Sequence, residues 1–286
     1  MSARVLHVAV CVLGLVFGFG RGVAVADPAL PRVIAAPTAW LPPPGGLVAT
    51  AGGGVGAEGF GEAGEGLLAI EYGLGALAGI EVGVDRDLRG CMACATERPE
   101  GLWLGRAAFR LGARQDAWFP GMPALLVGLR TTWAARGHAF GRARAAELYL
   151  VASRVLGPVR VHAGVQASDA EHRGGGPEGE SAVRLGVAVR PLAGLEWTPR
   201  DLPRSTLLAD VAWLPRLAPS EIELEWVAGL GVRYQALSWG AIELAVRNRQ
   251  GDGLAGTTVM VRVHGVWAPR AARPRRARQL ARASEK

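Results

Sequence analysis

Apolar and polar residues alternate along most of the chain, and most regularly between Ile222 and Trp267. In Ile222–Leu237 the even positions are apolar or aromatic, whereas the odd positions are charged, polar or small, apart from one valine and the final leucine. The alternation restarts at Ile242 and again at Thr257. Side chains change faces at every residue only in a β-strand. This segment therefore predicts three long strands, each with one apolar and one polar face.

The same period recurs between Leu47 and Val211, interrupted by Gly- and Pro-rich connections. Counting these runs predicts an all-β protein: a single antiparallel transmembrane β-barrel of about 12 strands over residues 47–267, with ten or fourteen strands as alternatives. In the strand predicted for Val183–Trp197, Pro191 indicates a bulge or a break, because proline has no N–H for the ladder.

The N-terminus indicates which face of such a barrel lies inside. Met1–Ala26 has the features of a secretory signal peptide: Arg4, a short apolar stretch and an Ala-Val-Ala cleavage site. The alternative is an N-terminal membrane anchor. The mature chain is expected to be exported.

Two further features favour a membrane barrel over its alternative, a soluble lipocalin-like barrel. Predicted connections alternate between short and long, as the periplasmic turns and outer loops of outer-membrane barrels do. Aromatic residues lie on the apolar face, mostly near strand ends, as expected where lipid meets water. These residues are Tyr72, Trp103, Trp133, Trp197, Trp213, Trp226, Tyr234 and Trp267.

The polar face must then line the lumen, because each charge turned toward lipid would cost roughly 2–4 kcal/mol near the midplane. The predicted lumen-lining residues are Glu71, Glu81, Arg106, Arg110, Arg130, Arg160, His162, Arg184, Arg190, Glu196, Asp210, Glu223, Glu225, Arg233, Glu243, Arg247, Arg262 and His264, with Asp85 and Glu147 on the same face. Acids and arginines balance, so a constricted lumen is expected. Closure of the barrel is expected to place Arg262 opposite Glu71 and Glu81.

The segments on either side of the barrel differ in composition from it. Residues 27–46 form a Pro-rich segment that leads into the barrel, and 268–286 form a basic tail expected to be disordered. That tail carries six arginines and one lysine against one acid, or +6 of the net +7. The rest is nearly neutral, so no nucleic-acid-binding face is expected. The tail is either solvated or adheres to an anionic polymer or membrane.

Cys91 and Cys94 form a single C-x-x-C in a long predicted loop. One such pair is at most half of a zinc site, so no metal or cofactor is expected. In an exported protein a small-loop disulfide is the favoured state. A redox role is the alternative, without a thioredoxin-like pattern around it.

No catalytic motif of the common hydrolase or nucleotide-binding classes occurs in the chain. Ser153, His162 and His264 fall on the polar face and are candidates for a hydrolase site. The alternative is that they are polar lumen residues hydrogen-bonded to arginines. The sequence therefore predicts no enzyme.

Two stretches resemble bacterial outer-membrane β-barrel proteins. Ala69–Val84 reads AIEYGLGALAGIEVGV and is similar to the strand–turn–strand run of that class. Glu147–Val165 reads ELYLVASRVLGPVRVHAGV and resembles the barrels of the YjbH-type exopolysaccharide-biosynthesis group. The chain departs from many such barrels by continuing past Trp267 into the basic tail.

Three functions follow from this interpretation. The first is a narrow channel or export component for small solutes or polysaccharide in the outer membrane of a Gram-negative bacterium. The second is a structural or surface-interaction barrel whose lumen is plugged by the Arg/Glu network. The third is a membrane-embedded hydrolase. The expected partners are outer-membrane lipid and a small solute or polysaccharide, with no nucleic acid.

Overall fold

A computed structural model describes residues 30–56, 64–86, 103–134, 142–173, 182–217, 222–250 and 257–269. These ranges form thirteen β-strands and no helix, and none of their segments is a helix long and apolar enough to cross a membrane. The strands are β1 Leu47–Gly56, β2 Gly64–Leu74, β3 Ala78–Arg86, β4 Trp103–Ala113, β5 Ala124–Ala134, β6 Arg142–Leu156, β7 Val159–Arg173, β8 Ala182–Arg184, β9 Ala188–Trp197, β10 Ser205–Leu217, β11 Ile222–Leu237, β12 Gly240–Arg249 and β13 Thr258–Trp267. The predicted signal peptide, the basic tail, Cys91 and Cys94 lie outside the described residues.

The strands close into one antiparallel barrel. Chain neighbours pair in order, and β1 pairs with β13 from Leu47 opposite Trp267 to Gly56 opposite Thr258. Strands β8 and β9 lie in line along the same edge of β7 and occupy one position in the wall. The wall therefore has twelve strand positions, which confirms the predicted fold class. The wall position shared by β8 and β9 is interrupted at residues 185–187, where Gly186 has a φ of +71°. The ladder between β9 and β7 continues through Pro191, where a bulge or a break was predicted.

The two ends of the barrel differ. One end of the barrel, which we term the turn end, holds the start of β1 and the end of β13. It also holds five connections: 75–77, 114–123, 157–158, 198–204 and 238–239. The other connections between neighbouring wall positions join their strands at the opposite end, which we term the loop end. In outer-membrane barrels the shorter turns face the periplasm and the longer loops face outward.

Apolar side chains face outward and charged side chains face inward, the reverse of a soluble sheet. Outward residues such as Ile80, Leu129 and Leu230 are 42–62% exposed, whereas most of the charged residues that alternate with them are buried. The exposed outward residues form an apolar belt around the barrel. This arrangement removes the soluble-barrel alternative, because a soluble barrel would expose the charges and bury the apolar face.

Aromatic residues mark the edges of the apolar belt. Tyr72, Trp197 and Tyr234 are exposed toward the turn end, and Trp133 is exposed toward the loop end. Leu230 lies four residues from both Tyr234 and the loop-end Trp226, so it lies near the middle of the belt.

Replacing Leu230 with arginine is therefore expected to lower the free energy of unfolding by about 2–4 kcal/mol in lipid, the cost of a cation near the midplane. Leu202 offers a matched control, because it is 58% exposed, close to the 62% of Leu230, but lies in the 198–204 turn. Leu202→Arg is expected to cost about 0–1 kcal/mol. Urea unfolding in lipid vesicles measures both, and equal losses would place the belt elsewhere.

Candidate functional site

The structure encloses most of the predicted lumen residues in the barrel interior. Buried there are Glu71, Glu81, Arg106, Arg110, Arg130, His162, Glu196, Asp210, Glu225, Arg233, Glu243, Arg247, Arg262 and His264, together with Asp85 and Glu147. Arg160 is partly buried and pairs with Glu196 at 3.2 Å.

Three predicted lumen residues, Arg184, Arg190 and Glu223, are exposed and do not lie in the enclosed interior. Arg184 pairs with Asp169 at 2.7 Å, and the Arg190 guanidinium lies 5.4 Å from the centre of the Trp213 ring. All three lie near the loop end, where the strands extend beyond the enclosed part of the lumen, so the polar face there meets solvent.

A first cluster of buried charges lies on β2, β3 and β4. Glu81 accepts ion pairs from Arg106 and Arg110, both at 2.8 Å. Arg110 also pairs with Glu71 at 3.2 Å, and Arg106 pairs with Asp85 at 3.1 Å. Every partner comes from one of three adjacent strands, which supply three carboxylates against two guanidinium groups.

A second cluster lies on β9, β11, β12 and β13. Arg233 pairs with Glu243 at 2.9 Å and reaches Glu196 at 3.6 Å. Arg262 pairs with Glu243 at 3.2 Å. The contact of Arg262 is therefore with a carboxylate on the adjacent β12, rather than with Glu71 and Glu81 as expected. On the opposite wall, Arg130 pairs with Glu147 between β5 and β6.

The feature that sequence reasoning missed is a short hairpin inside the lumen, formed by residues 30–41, which we term the lumenal hairpin. Arg32 and Pro37 form an isolated antiparallel bridge. The Val33 N–H donates to the Ala36 carbonyl, and the Thr38 N–H donates to the Pro31 carbonyl, both at 3.0 Å. Residues 30–39 are all buried. The N-terminal segment therefore fills the lumen as well as leading into the barrel.

Both arms of the lumenal hairpin begin at the turn end. Leu30 packs against Val48 and Val266, at the turn ends of β1 and β13. The other arm continues through residues 42–46, where the Gly45 N–H donates to the Gly73 carbonyl. The turn at Val33–Ala36 therefore forms the tip, inserted toward the middle of the barrel.

The wall holds the tip chiefly by its backbone. One carboxylate oxygen of Asp210 accepts three consecutive N–H groups, from residues 34, 35 and 36, at 2.6–2.9 Å. Arg262 donates to the Ile34 carbonyl at 2.7 Å, and Arg233 donates to the Val33 carbonyl at 3.1 Å. Such charge-assisted hydrogen bonds are stronger than neutral ones. The lumen therefore recognises a peptide turn through charged side chains.

Side-chain contacts complete the fit of the lumenal hairpin. Arg32 pairs with Glu81 at 3.0 Å, within the first charge cluster. At Gly194 an added Cβ would lie 2.8 Å from the Val33 side chain, and at Gly229 it would lie 2.6 Å from Asp210 and 2.9 Å from Ile34. The wall therefore carries glycine where the tip approaches most closely. The prolines at 31 and 37, on either side of an apolar run, are the only sequence signal for this turn.

The hydrolase candidates form a hydroxyl–imidazole–carboxylate series. Ser153 Oγ lies 2.7 Å from His162 Nδ1, and His162 Nε2 lies 3.5 Å from Glu196. A second series has the same form: Thr50 lies 3.0 Å from His264, which lies 3.3 Å from Glu243.

Both carboxylates of these series also belong to the second charge cluster. Ser153 Oγ accepts the Ala39 N–H at 2.8 Å, so the hairpin already occupies it. The repetition, with threonine in place of serine, favours a role in linking buried polar groups. Within the described ranges no group of three metal-ligating side chains occurs.

No protein-family model and no curated protein matches the chain. Among solved structures it is similar to the KdgM porin in complex with disordered oligogalacturonate, at 8% identity and a TM-score of 0.50, over 78% of this chain and 99% of that one. It is also similar to the NanC porin, at 10% identity and a TM-score of 0.48, over 78% of this chain and 99% of that one. A third similar structure is outer membrane phospholipase A from Escherichia coli, at 13% identity and a TM-score of 0.43, over 80% of this chain and 98% of that one.

At such identities the likeness to the KdgM porin establishes the fold alone. The chain has the fold of bacterial outer-membrane β-barrels, which confirms the predicted resemblance to that class and agrees with the predicted location. The narrower resemblance to the YjbH-type barrels stays a prediction.

Proposed function

We propose that this protein is an outer-membrane channel that is held closed by its own lumenal hairpin and conducts small polar solutes when the hairpin withdraws. The observation that carries the proposal is that residues 30–39 are buried inside the barrel and held there by hydrogen bonds and ion pairs. Contacts of this kind exchange with water, so they suit a plug that leaves and returns.

The wall can keep its charges paired after the hairpin leaves. Glu81 retains Arg106 and Arg110, and Arg233 retains Glu243. Both arms begin at the turn end, so withdrawal requires no threading through the barrel. These two features favour a removable plug.

The groups that withdrawal uncovers suggest a substrate class. Arg262 and Arg233 lose the carbonyl oxygens of residues 34 and 33. Guanidinium groups that bind carbonyl oxygens also bind carboxylates, often in a bidentate manner. Short acidic oligosaccharides are therefore the first substrates to test, and the oligogalacturonate bound by the KdgM porin belongs to that class.

The plugged structural barrel remains a second candidate. The observation that favours it is the buried ion-pair network, which crosses neighbouring strands from Glu71 on β2 to Arg110 on β4 and would narrow the lumen without the hairpin. We infer transport over catalysis, because the two hydroxyl–imidazole–carboxylate series repeat around the wall and share their carboxylates with arginines.

Planar-bilayer recording distinguishes the two functions. Replacing residues 30–41 with a Gly-Ser segment of equal length removes every side chain of the hairpin and keeps the chain connected. The channel proposal expects stable ion conductance from this variant and rare openings from the unmodified protein. A variant that folds, as judged by heat-modifiable gel migration, but stays as silent as the parent would support the plugged barrel.

A further inference from the structure

One seam in the barrel wall is incomplete. Strands β9 and β10 pair over five residues only, from Trp197 opposite Leu207 to Ala193 opposite Val211. Beyond that point β9 continues to Ala188 along β7, and β10 continues to Leu217 along β11. The two strands are neighbours in the wall, but they share no ladder in the half nearer the loop end.

The sequence reinforces the interruption. Pro191 and Pro215 are the only prolines in the thirteen described strands, and they lie on the two strands that flank this seam. Extending the β9–β10 register by two and four residues would place Pro191 opposite Trp213 and Pro215 opposite Val189. Proline has no N–H, so these strands cannot complete a regular ladder in this half.

The unladdered half of the seam begins within the apolar belt and runs past its loop-end edge. Trp197 marks the turn-end edge of the belt, and Trp213, paired with Trp226, marks the loop-end edge. Val189, 58% exposed, faces outward two residues beyond Pro191, the position opposite Trp213 in the extended register, and so lies just past the loop-end edge. Backbone polar groups without partners cost several kcal/mol in hydrocarbon and are tolerated where they line a cavity or are buried in protein. An unladdered wall at this depth is therefore a place where the lumen and the lipid can communicate.

The interior behind the seam is apolar, in contrast with the charged opposite wall. Leu192 and Ala212, on either side of the seam, belong to one buried cluster with Leu214 and Val227 of the wall and with alanines 35, 36 and 39 of the lumenal hairpin. Only side chains bridge the gap: Arg190 lies over the Trp213 ring, and the Gln166 amide donates to the Trp213 carbonyl at 2.8 Å. The described contacts thus close the seam with packing in the apolar cluster, one cation–π contact and one side-chain hydrogen bond.

We propose that this seam is a lateral binding site for the hydrocarbon chain of an anionic membrane lipid from the leaflet at the loop end. The chain passes between the unladdered parts of β9 and β10 onto the apolar cluster around Leu192 and Ala212. Arg190, exposed at the rim, pairs with the anionic headgroup. The site uses none of the lumenal hairpin's polar contacts, although its apolar cluster includes hairpin alanines, and its test does not depend on conductance.

A lipid-phase thiol probe tests the site. In full-length protein whose Cys11, Cys91 and Cys94 are replaced by serine, Ala212→Cys places a thiol behind the seam. Ala145→Cys is the matched control, because Ala145 is also buried, also lies toward the loop end, and is on a strand laddered on both sides. The probe is a phosphatidylglycerol carrying a maleimide at the end of one acyl chain, in vesicles that hold the folded barrel.

If the seam binds the hydrocarbon chain, we expect the probe to label Ala212→Cys at least tenfold faster than Ala145→Cys. We also expect Ala212→Cys to be labelled faster by this anionic probe than by its phosphatidylcholine counterpart, and Arg190→Ala should abolish that difference. Equal rates at the two positions would overturn the lateral site, and a charge preference that survives Arg190→Ala would overturn the role of Arg190. If Ala212→Cys does not fold, Leu214→Cys carries the same comparison.

Discussion

Replacing Asp210 with asparagine is expected to raise the ratio of open to closed channels roughly a hundredfold, a change of about 3 kcal/mol. One oxygen of Asp210 accepts the N–H groups of residues 34, 35 and 36, which form the tip of the lumenal hairpin. Hydrogen bonds to a charged group contribute about 1.5–3 kcal/mol each. The asparagine amide can still offer one acceptor oxygen to these N–H groups, but without the negative charge, so the closed state loses most of this stabilisation. Open probability in planar bilayers measures the ratio.

Asp169→Asn is the control for this substitution, because Asp169 pairs with Arg184 near the loop end and does not contact the hairpin. Its open probability is expected to equal that of the parent. If Asp210→Asn stays closed while the Gly-Ser replacement of the hairpin conducts, Asp210 is not what retains the hairpin.

Replacing Glu81 with glutamine is expected to lower the free energy of unfolding by about 3–5 kcal/mol, the range for breaking a buried ion pair from one side. The carboxylate of Glu81 lies within 2.8 Å of Arg106 and Arg110 and within 3.0 Å of Arg32. A neutral amide would leave three guanidinium groups around one site from which water is largely excluded. Urea unfolding in lipid vesicles measures the loss.

Glu71→Gln is the matched control, because Glu71 is equally buried but pairs with Arg110 alone, at 3.2 Å. Its loss is expected to be smaller. Adding Arg32→Met to Glu81→Gln should recover part of the stability, since Arg106 and Arg110 keep Asp85 and Glu71, whereas the described ion pair of Arg32 is with Glu81. Equal losses for the two glutamine variants would mean that the number of arginine partners does not determine the cost.

The alternation of residues was enough to predict the face on which most buried charges lie. The period of a strand is a local property of the backbone, so parity alone assigned Glu81, Arg233 and Glu243 to the interior and Leu230 to the lipid face. Arg184, Arg190 and Glu223 share that parity but are exposed, because parity gives the direction of a side chain but not how far along the axis the lumen stays enclosed. It also could not pair Arg262 with Glu243, since pairing requires the register of β12 against β13.

The lumenal hairpin and the incomplete seam were decided by the tertiary structure. Residues 30–41 show no alternation of apolar and polar positions. The hydrogen bond between Ile34 and Asp210 joins positions 176 residues apart, so no local pattern could predict the hairpin's place in the lumen. Pro191 was visible as an interruption, yet its consequence depends on Pro215 lying on the facing strand. Composition and period determined an inside-out, closed barrel, because both act residue by residue. What fills that barrel and where its wall can part depend on which distant segments closure brings together, and only the folded chain contains that information.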